Sequence, residues 1–146
     1  HTKLLKKRNC RTILTPHFGE FSSLLGISLE ELKADFREIA RDFAREHNVI
    51  LVLKNAPTIV TEGENIYINP TGRENLATVG TGDVLAGMTA SLFSQTGDAL
   101  HSAISATYMH GQCGDILYTQ TGGSSTIASD LIDVIPEIKL SLSFIR

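Results

Sequence analysis

The sequence predicts an α/β fold, with a mostly parallel sheet flanked by helices and one β-hairpin. Three observations carry this. Two apolar runs of strand length, residues 11–16 and 49–53, stand on either side of a long amphipathic stretch, which is the pattern of a βαβ unit. Residues 58–62 and 65–69 then alternate around Gly63-Glu64, as the two arms of a hairpin do. From Val84 onward the apolar residues recur at helical spacing.

In order, residues 1–9 read as the tail of a helix with Leu4 and Leu5 as its apolar contacts. Residues 11–16 read as a short buried strand stopped by Pro16, which cannot donate to a ladder. Residues 20–25 form a short helical turn closed by Gly26. Ser28 and Glu31 have capping-box spacing at the start of one amphipathic helix. Its apolar stripe is Leu29, Leu32, Phe36, Ile39, Ala40 and Phe43, and this stripe is core. The unbroken run 49–53 reads as a central parallel strand, buried on both faces. After the hairpin, Pro70-Thr71-Gly72 is a turn. A helix over 84–95 has Gly87, Ala90 and Ser91 as small contact residues and ends at Gly97. Asp98 opens another helix reaching about Tyr118, made thin by Ala99, Ala103, Ala106, Gly111 and Gly114 for close helix packing. His110 within it reads as buried or capping. Residues 121–125 are a loop, and Ser129-Asp130 begins a last helix that Pro136 kinks or divides.

Composition excludes several function classes. The 146 residues are 42% hydrophobic and 20% charged, with a formal net charge of −3, so no global basic signal points to nucleic acid. The one basic cluster, Lys3, Lys6, Lys7, Arg8 and Arg11, has no interleaved aromatic residues to stack bases. Cys10 and Cys113 lie far apart without metal-ligand spacing. No apolar run is long enough to span a membrane, and the cytoplasm is the expected compartment. The chain starts at His1 in a helix-like segment, which leads to the expectation of a longer polypeptide.

The chemistry is concentrated in Gly80-Thr81-Gly82-Asp83, which runs directly into the apolar Val84, Leu85, Ala86 and Met88. A helix start has unpartnered N–H groups and partial positive charge, and glycines let its backbone approach an anion. A phosphate is the natural guest. Asp83 would repel it, unless the carboxylate accepts the proton of a hydroxyl being phosphorylated there. The alternative is that Asp83 only caps the helix. His17 lies at the end of the first strand, where α/β sheets gather ligands, or else caps the next helix. Lys54 emerges at the end of the second strand, where its ammonium reaches phosphate oxygens or merely snorkels.

Thr15-Pro16-His17-Phe18-Gly19-Glu20, Leu53-Lys54-Asn55-Ala56-Pro57-Thr58 and Gly80-Thr81-Gly82-Asp83-Val84-Leu85-Ala86-Gly87 follow one another, with Tyr108-Met109-His110-Gly111 and Ala128-Ser129-Asp130-Leu131 after them. This set resembles the C-terminal half of the ADP/ATP-dependent NAD(P)H-hydrate dehydratases, a branch of the ribokinase-like superfamily. The resemblance implies an incomplete ribokinase-like domain over 1–146 that repairs hydrated NADH and NADPH. In that reaction the ring hydroxyl is phosphorylated by ADP or ATP, and phosphate is then eliminated. It implies Asp83 as the base and a substrate contact, and the backbone of Gly80, Thr81 and Gly82 as the anion hole. His17 would contact the hydrated nucleotide. Lys54, Asn55, Ala56, Pro57 and Thr58, with Gly82, would border the adenine nucleotide. Mg²⁺ would accompany the nucleotide, with no ligand set for it in this sequence.

The chain departs from the family pattern at Gly72-Arg73-Glu74-Asn75, where Gly-Asn-x-Gly is usual, and at Val79 and Asn55, where glycine is usual. Arg73 adds a cation near the expected phosphate. The family domain is about twice as long, in the upper part of the usual domain range. A half-sheet leaves an apolar edge for the missing half or for a partner chain, hence an expected homo-oligomer. Two other readings remain open: a ribokinase-like kinase for a vitamin precursor or sugar alcohol, and a non-catalytic nucleotide-binding fragment.

Overall fold

A computed structural model describes residues 2–123 and 125–143. They fall into two compact units, one running to Ile68 and including Asp98–Ala103, the other formed by Asn69–Gly97 and the residues from Ile104 on.

The first unit holds the sheet. Its strands are β1 (Ile13–Leu14), β2 (Ile50–Leu53), β3 (Ile59–Thr61) and β4 (Ile66–Ile68), hydrogen-bonded in that order. β1 and β2 are parallel, with Ile13 opposite Ile50. The other two pairs are antiparallel, with Val52 opposite Val60 and Val60 opposite Tyr67. The sheet is therefore mixed rather than mostly parallel, and β2 is parallel to only one of its neighbours. Residues 54–58 turn the chain straight back, without the crossover helix that a parallel partner would need. β2 is fully buried, as its unbroken apolar run requires.

Helices α1 (Phe18–Leu25), α2 (Leu29–Ala34) and α3 (Phe36–His47) belong to the same unit. The single amphipathic helix read over this stretch is divided at Asp35, whose φ of −148° and ψ of 43° are not helical. The apolar stripe still reaches the core across the break. Phe21, Leu32, Ala40, Phe43 and Ala44 pack with Val49, Leu51, Leu53 and Ile59. Phe21 meets Phe43 edge-on at 5.2 Å, an aromatic arrangement worth about 1 kcal/mol beyond the area it buries. The Ser28–Glu31 capping box forms as its spacing predicts. Residues Thr2–Lys7 are a 3-10 turn rather than an α-helix tail, with Leu4 exposed and Leu5 against the core.

In the second unit a 3-10 turn (Glu74–Ala77) precedes α4 (Thr81–Thr96), which begins three residues earlier than its apolar repeat suggests and stops at Gly97. α5 (Ala99–Thr121) enters this unit at Ile104, and α6 (Ala128–Ser143) packs on α4 with Leu131, Val134 and Ile138 buried. Pro136 lies inside α6 without ending it. Among the described residues, the small residues read as contacts on α4 make none of note. Gly87, Ala90 and Ser91 are exposed on α4, and nothing lies within 4 Å of a Cβ built on Gly87. On α5 Gly111 and Gly114 receive the segment 69–76. A Cβ on Gly111 would lie 2.1 Å from Thr71 Oγ1, so only glycine lets residues 69–76 lie flush on the helix. The Thr71 hydroxyl completes that seam by donating to the Tyr108 carbonyl at 2.9 Å. The predicted loop over residues 121–125 is described only in part, since Ser124 lies outside the described residues and Thr121 ends α5.

Candidate functional site

Two groups of predicted site residues assemble, one in each unit. In the first unit, β1 and β2 run side by side and end together. The Lys54 N–H donates to the Pro16 carbonyl at 2.9 Å, and His17 and Lys54 form a parallel bridge. The parallel pairing therefore brings together two residues 37 positions apart (54 − 17) at the carboxyl ends of their strands, where such sheets collect ligands.

Local chemistry at this corner explains the Thr-Pro-His-x-Gly-Glu motif. His17 is the N-cap of α1. Its Nδ1 accepts from the Glu20 N–H at 3.1 Å, and the Glu20 carboxylate accepts the His17 N–H at 2.7 Å. This is a capping box with histidine in the place of serine. Gly19 leaves room for the ring, since a Cβ there would approach His17 Cε1 to 3.1 Å. Because Nδ1 accepts, the neutral imidazole carries its proton on Nε2, and His17 presents an N–H donor. Both readings of His17 are thus compatible: the ring caps with one nitrogen and keeps the other available.

Glu20, which in the sequence marks only the start of a helical turn, links the corner. One of its oxygens lies 3.7 Å from His17 Nε2 and 4.0 Å from Lys54 Nζ. The spacing His17-x-x-Glu20 was the available signal, hidden because histidine is not among the usual caps. An open hollow of about 520 Å³ is lined by His17, Gly19, Glu20, Ser23 and Leu24. Asn55 through Thr58 form an exposed turn beside Lys54, closed by the Thr58 hydroxyl donating to the Asn55 carbonyl at 3.0 Å, with a cis Ala56–Pro57 bond.

In the second unit, Gly80 is the N-cap of α4, with φ of 90°, a backbone conformation suited to glycine. Having no side chain, it offers no cap. Among the described residues the N–H groups of Gly80 and Gly82 have no hydrogen-bond partner, while the Thr81 N–H makes a long 3.3 Å bond to the Thr78 carbonyl. Asp83 lies in the first turn with an exposed side chain, and its carboxylate accepts no hydrogen bond among the described residues. The capping alternative for Asp83 has no bond to support it.

Buried groups hold the turn from behind. The Thr81 hydroxyl lies 2.7 and 2.8 Å from the Leu76 and Thr78 carbonyls. Asn75 Nδ2 donates to the Gly114 carbonyl at 2.9 Å and to Thr126 Oγ1 at 3.2 Å. His110 is buried, as read, with Nε2 2.9 Å from the Thr81 carbonyl. Arg73 is not a loose cation. It pairs with Asp115 at 3.2 Å and lies over the Tyr118 ring at 4.9 Å. Cys113 is buried, and burial pushes its thiol up to about 11, so it is no thiolate nucleophile near neutrality.

A profile of the NAD(P)H-hydrate dehydratase family matches residues 1–137. The chain belongs to that family. It is 38% identical over 143 residues to the bifunctional NAD(P)H-hydrate repair enzyme Nnr of Moorella thermoacetica, covering 97% of this chain and 27% of that one. It resembles the ADP/ATP-dependent NAD(P)H-hydrate dehydratase of Bacillus subtilis, solved after co-crystallisation with ATP/Mg²⁺, with a TM-score of 0.83 and 33% identity. That match covers 94% of this chain and 52% of the other. A ribokinase-like superfamily protein of Enterococcus faecalis, at 23% identity and a TM-score of 0.73, covers 94% of this chain and 49% of its own. The fold is ribokinase-like α/β, and the chain spans about half the length of these solved relatives. Among the described residues no helix is long and apolar enough to cross a membrane.

Proposed function

We propose that this protein of the NAD(P)H-hydrate dehydratase family takes part in repair of hydrated NADH and NADPH, with ADP or ATP as phosphoryl donor. One observation carries the reading: a helix start with open backbone donors and an unengaged carboxylate in the same turn. A phosphoryl group needs anion-binding donors, and an attacking alcohol needs a nearby base.

In this mechanism the ring hydroxyl loses its proton to Asp83 as its oxygen attacks the terminal phosphorus of the nucleotide. The P–O bond to the leaving AMP or ADP breaks. Loss of phosphate from the ring, together with a proton from the neighbouring ring carbon, then restores the dihydronicotinamide double bond. The N–H groups of Gly80 and Gly82 bind the phosphoryl oxygens, and the Thr81 N–H joins them by exchanging its long bond. His17 donates from Nε2 to the hydrated nicotinamide nucleotide. Lys54, Asn55, Ala56, Pro57 and Thr58 border the adenine nucleotide, together with Gly82. Among the described residues no three His, Cys, Asp or Glu side chains are grouped as metal ligands. Mg²⁺ would enter with the nucleotide, bound chiefly through its phosphates, and would neutralise charge on the transferring group. Cytoplasmic location fits two free thiols.

The test is to incubate the full-length protein with hydrated NADH and either nucleotide, following NADH absorbance and free phosphate. Recovery of both supports dehydration. A stable phosphoester without NADH recovery would move the assignment to a small-molecule kinase, and nucleotide binding without product would leave a binding fragment.

A further inference from the structure

The glycine turn has no N-cap side chain, so its shape depends on the bonds that hold it from behind, those of Thr81 and that of His110. Among the bonds that tie this region to α5 are Asn75 to the Gly114 carbonyl, and His110 to the Thr81 carbonyl. Only the second reaches the turn itself. Its geometry has a specific consequence. The Thr81 carbonyl and the Gly82 N–H belong to one peptide unit, which is planar and trans, so they point in opposite directions along a rigid plane. Gripping the carbonyl oxygen sets the direction of the Gly82 N–H. A hydrogen bond to that oxygen also polarises the peptide and makes the N–H a better donor.

We propose that His110 is a positioning residue that aims the Gly82 N–H at a bound anion by donating from Nε2 to the Thr81 carbonyl. The role as an anion aim rests on the glycine turn being the phosphoryl site. The grip itself does not. A carbonyl only accepts, so Nε2 must carry the proton. The ring is buried, 8% exposed, with Nε2 2.9 Å from the carbonyl oxygen. His110 touches neither substrate nor nucleotide in this proposal and acts through one peptide plane.

The grip is tested first in the unaltered protein, by ¹⁵N NMR of the imidazoles. A protonated Nε2 on His110 is expected, and an unprotonated Nε2 overturns the proposal without any variant. Next, His110→Phe removes the donor and His110→Gln keeps an N–H of similar reach. In His110→Phe the Gly82 amide signal shifts and exchange of the Leu85 amide, at the head of α4, rises about tenfold, the worth of one buried hydrogen bond. Exchange at Ala106 and Met109 in α5 stays put, which a general loosening would not allow. ADP affinity falls by about the same factor, and His110→Gln restores most of it. Unchanged Gly82 signal, Leu85 exchange and ADP affinity in His110→Phe overturn the proposal. If the unaltered protein binds no ADP while the Gly82 and Leu85 effects appear, the grip stands and the nucleotide reading falls.

Discussion

Two helix starts in this molecule solve the same problem in opposite ways. At α1 the orphan N–H groups are met by side chains: His17 accepts from Glu20, and Glu20 returns the bond. At α4 the N-cap is glycine, no side chain closes the turn, and the support comes from behind, through Thr81 and His110. The first start is finished in itself and spends its carboxylate on its own backbone. The second keeps both donors and carboxylate available. On the proposed reading an anion gains more at α4, although both helices carry the same kind of dipole.

Asp83→Asn breaks the comparison at its most consequential point. Turnover of hydrated NADH should fall by about 10³-fold, the usual scale for losing a general base, while calorimetry finds ADP affinity changed less than about threefold. Near-normal turnover would sink the base assignment. Gly80→Ala comes next. It forces a side chain onto a φ of 90° and brings Cβ to 3.1 Å from Ala128, so urea denaturation should show a loss of about 1–2 kcal/mol. Gly87→Ala, in open space on the same helix, should gain about 0.5–1 kcal/mol. Losses of equal size at both would mean that the turn has no special geometry.

At α1, His17→Asn keeps an N-cap acceptor and should hold stability within a few tenths of a kcal/mol, whereas His17→Ala loses about 1 kcal/mol. Both should weaken binding of the hydrated nucleotide. Full binding by His17→Asn would assign the ring to capping alone. The smallest effect concerns α2. Bonds from the Ser28 N–H and hydroxyl region hold Glu31 below its ordinary 4.5. A depressed carboxylate stabilises the fold above that ordinary value, and the contribution is lost as pH falls through the lower folded value. Glu31→Gln should flatten the acid limb of a stability–pH curve, and an unchanged slope below about pH 4.5 would contradict it.

Much of the candidate site was legible because its residues are local signatures. Gly80-Thr81-Gly82-Asp83 before an apolar repeat marks an anion-ready helix start, and Ser28 with Glu31 marks a capped one. The partnership of Glu20 with His17 and Lys54 was not legible, because it needs two strands to pair. Nor was the grip of His110, 29 residues from its acceptor. The division of the long helix at Asp35 escaped for another reason: the apolar spacing is nearly the same on both sides of the break.

By itself, the sequence determined most of the elements, the Ser28 cap and the composition of the glycine turn, since these depend on side chains a few positions apart. Tertiary structure alone decided the mixed sheet, the pairing that sets His17 beside Lys54, and the burial of His110 behind Thr81. Those outcomes depend on which distant surfaces exclude water together. Periodicity records which face is apolar, but not what will cover it.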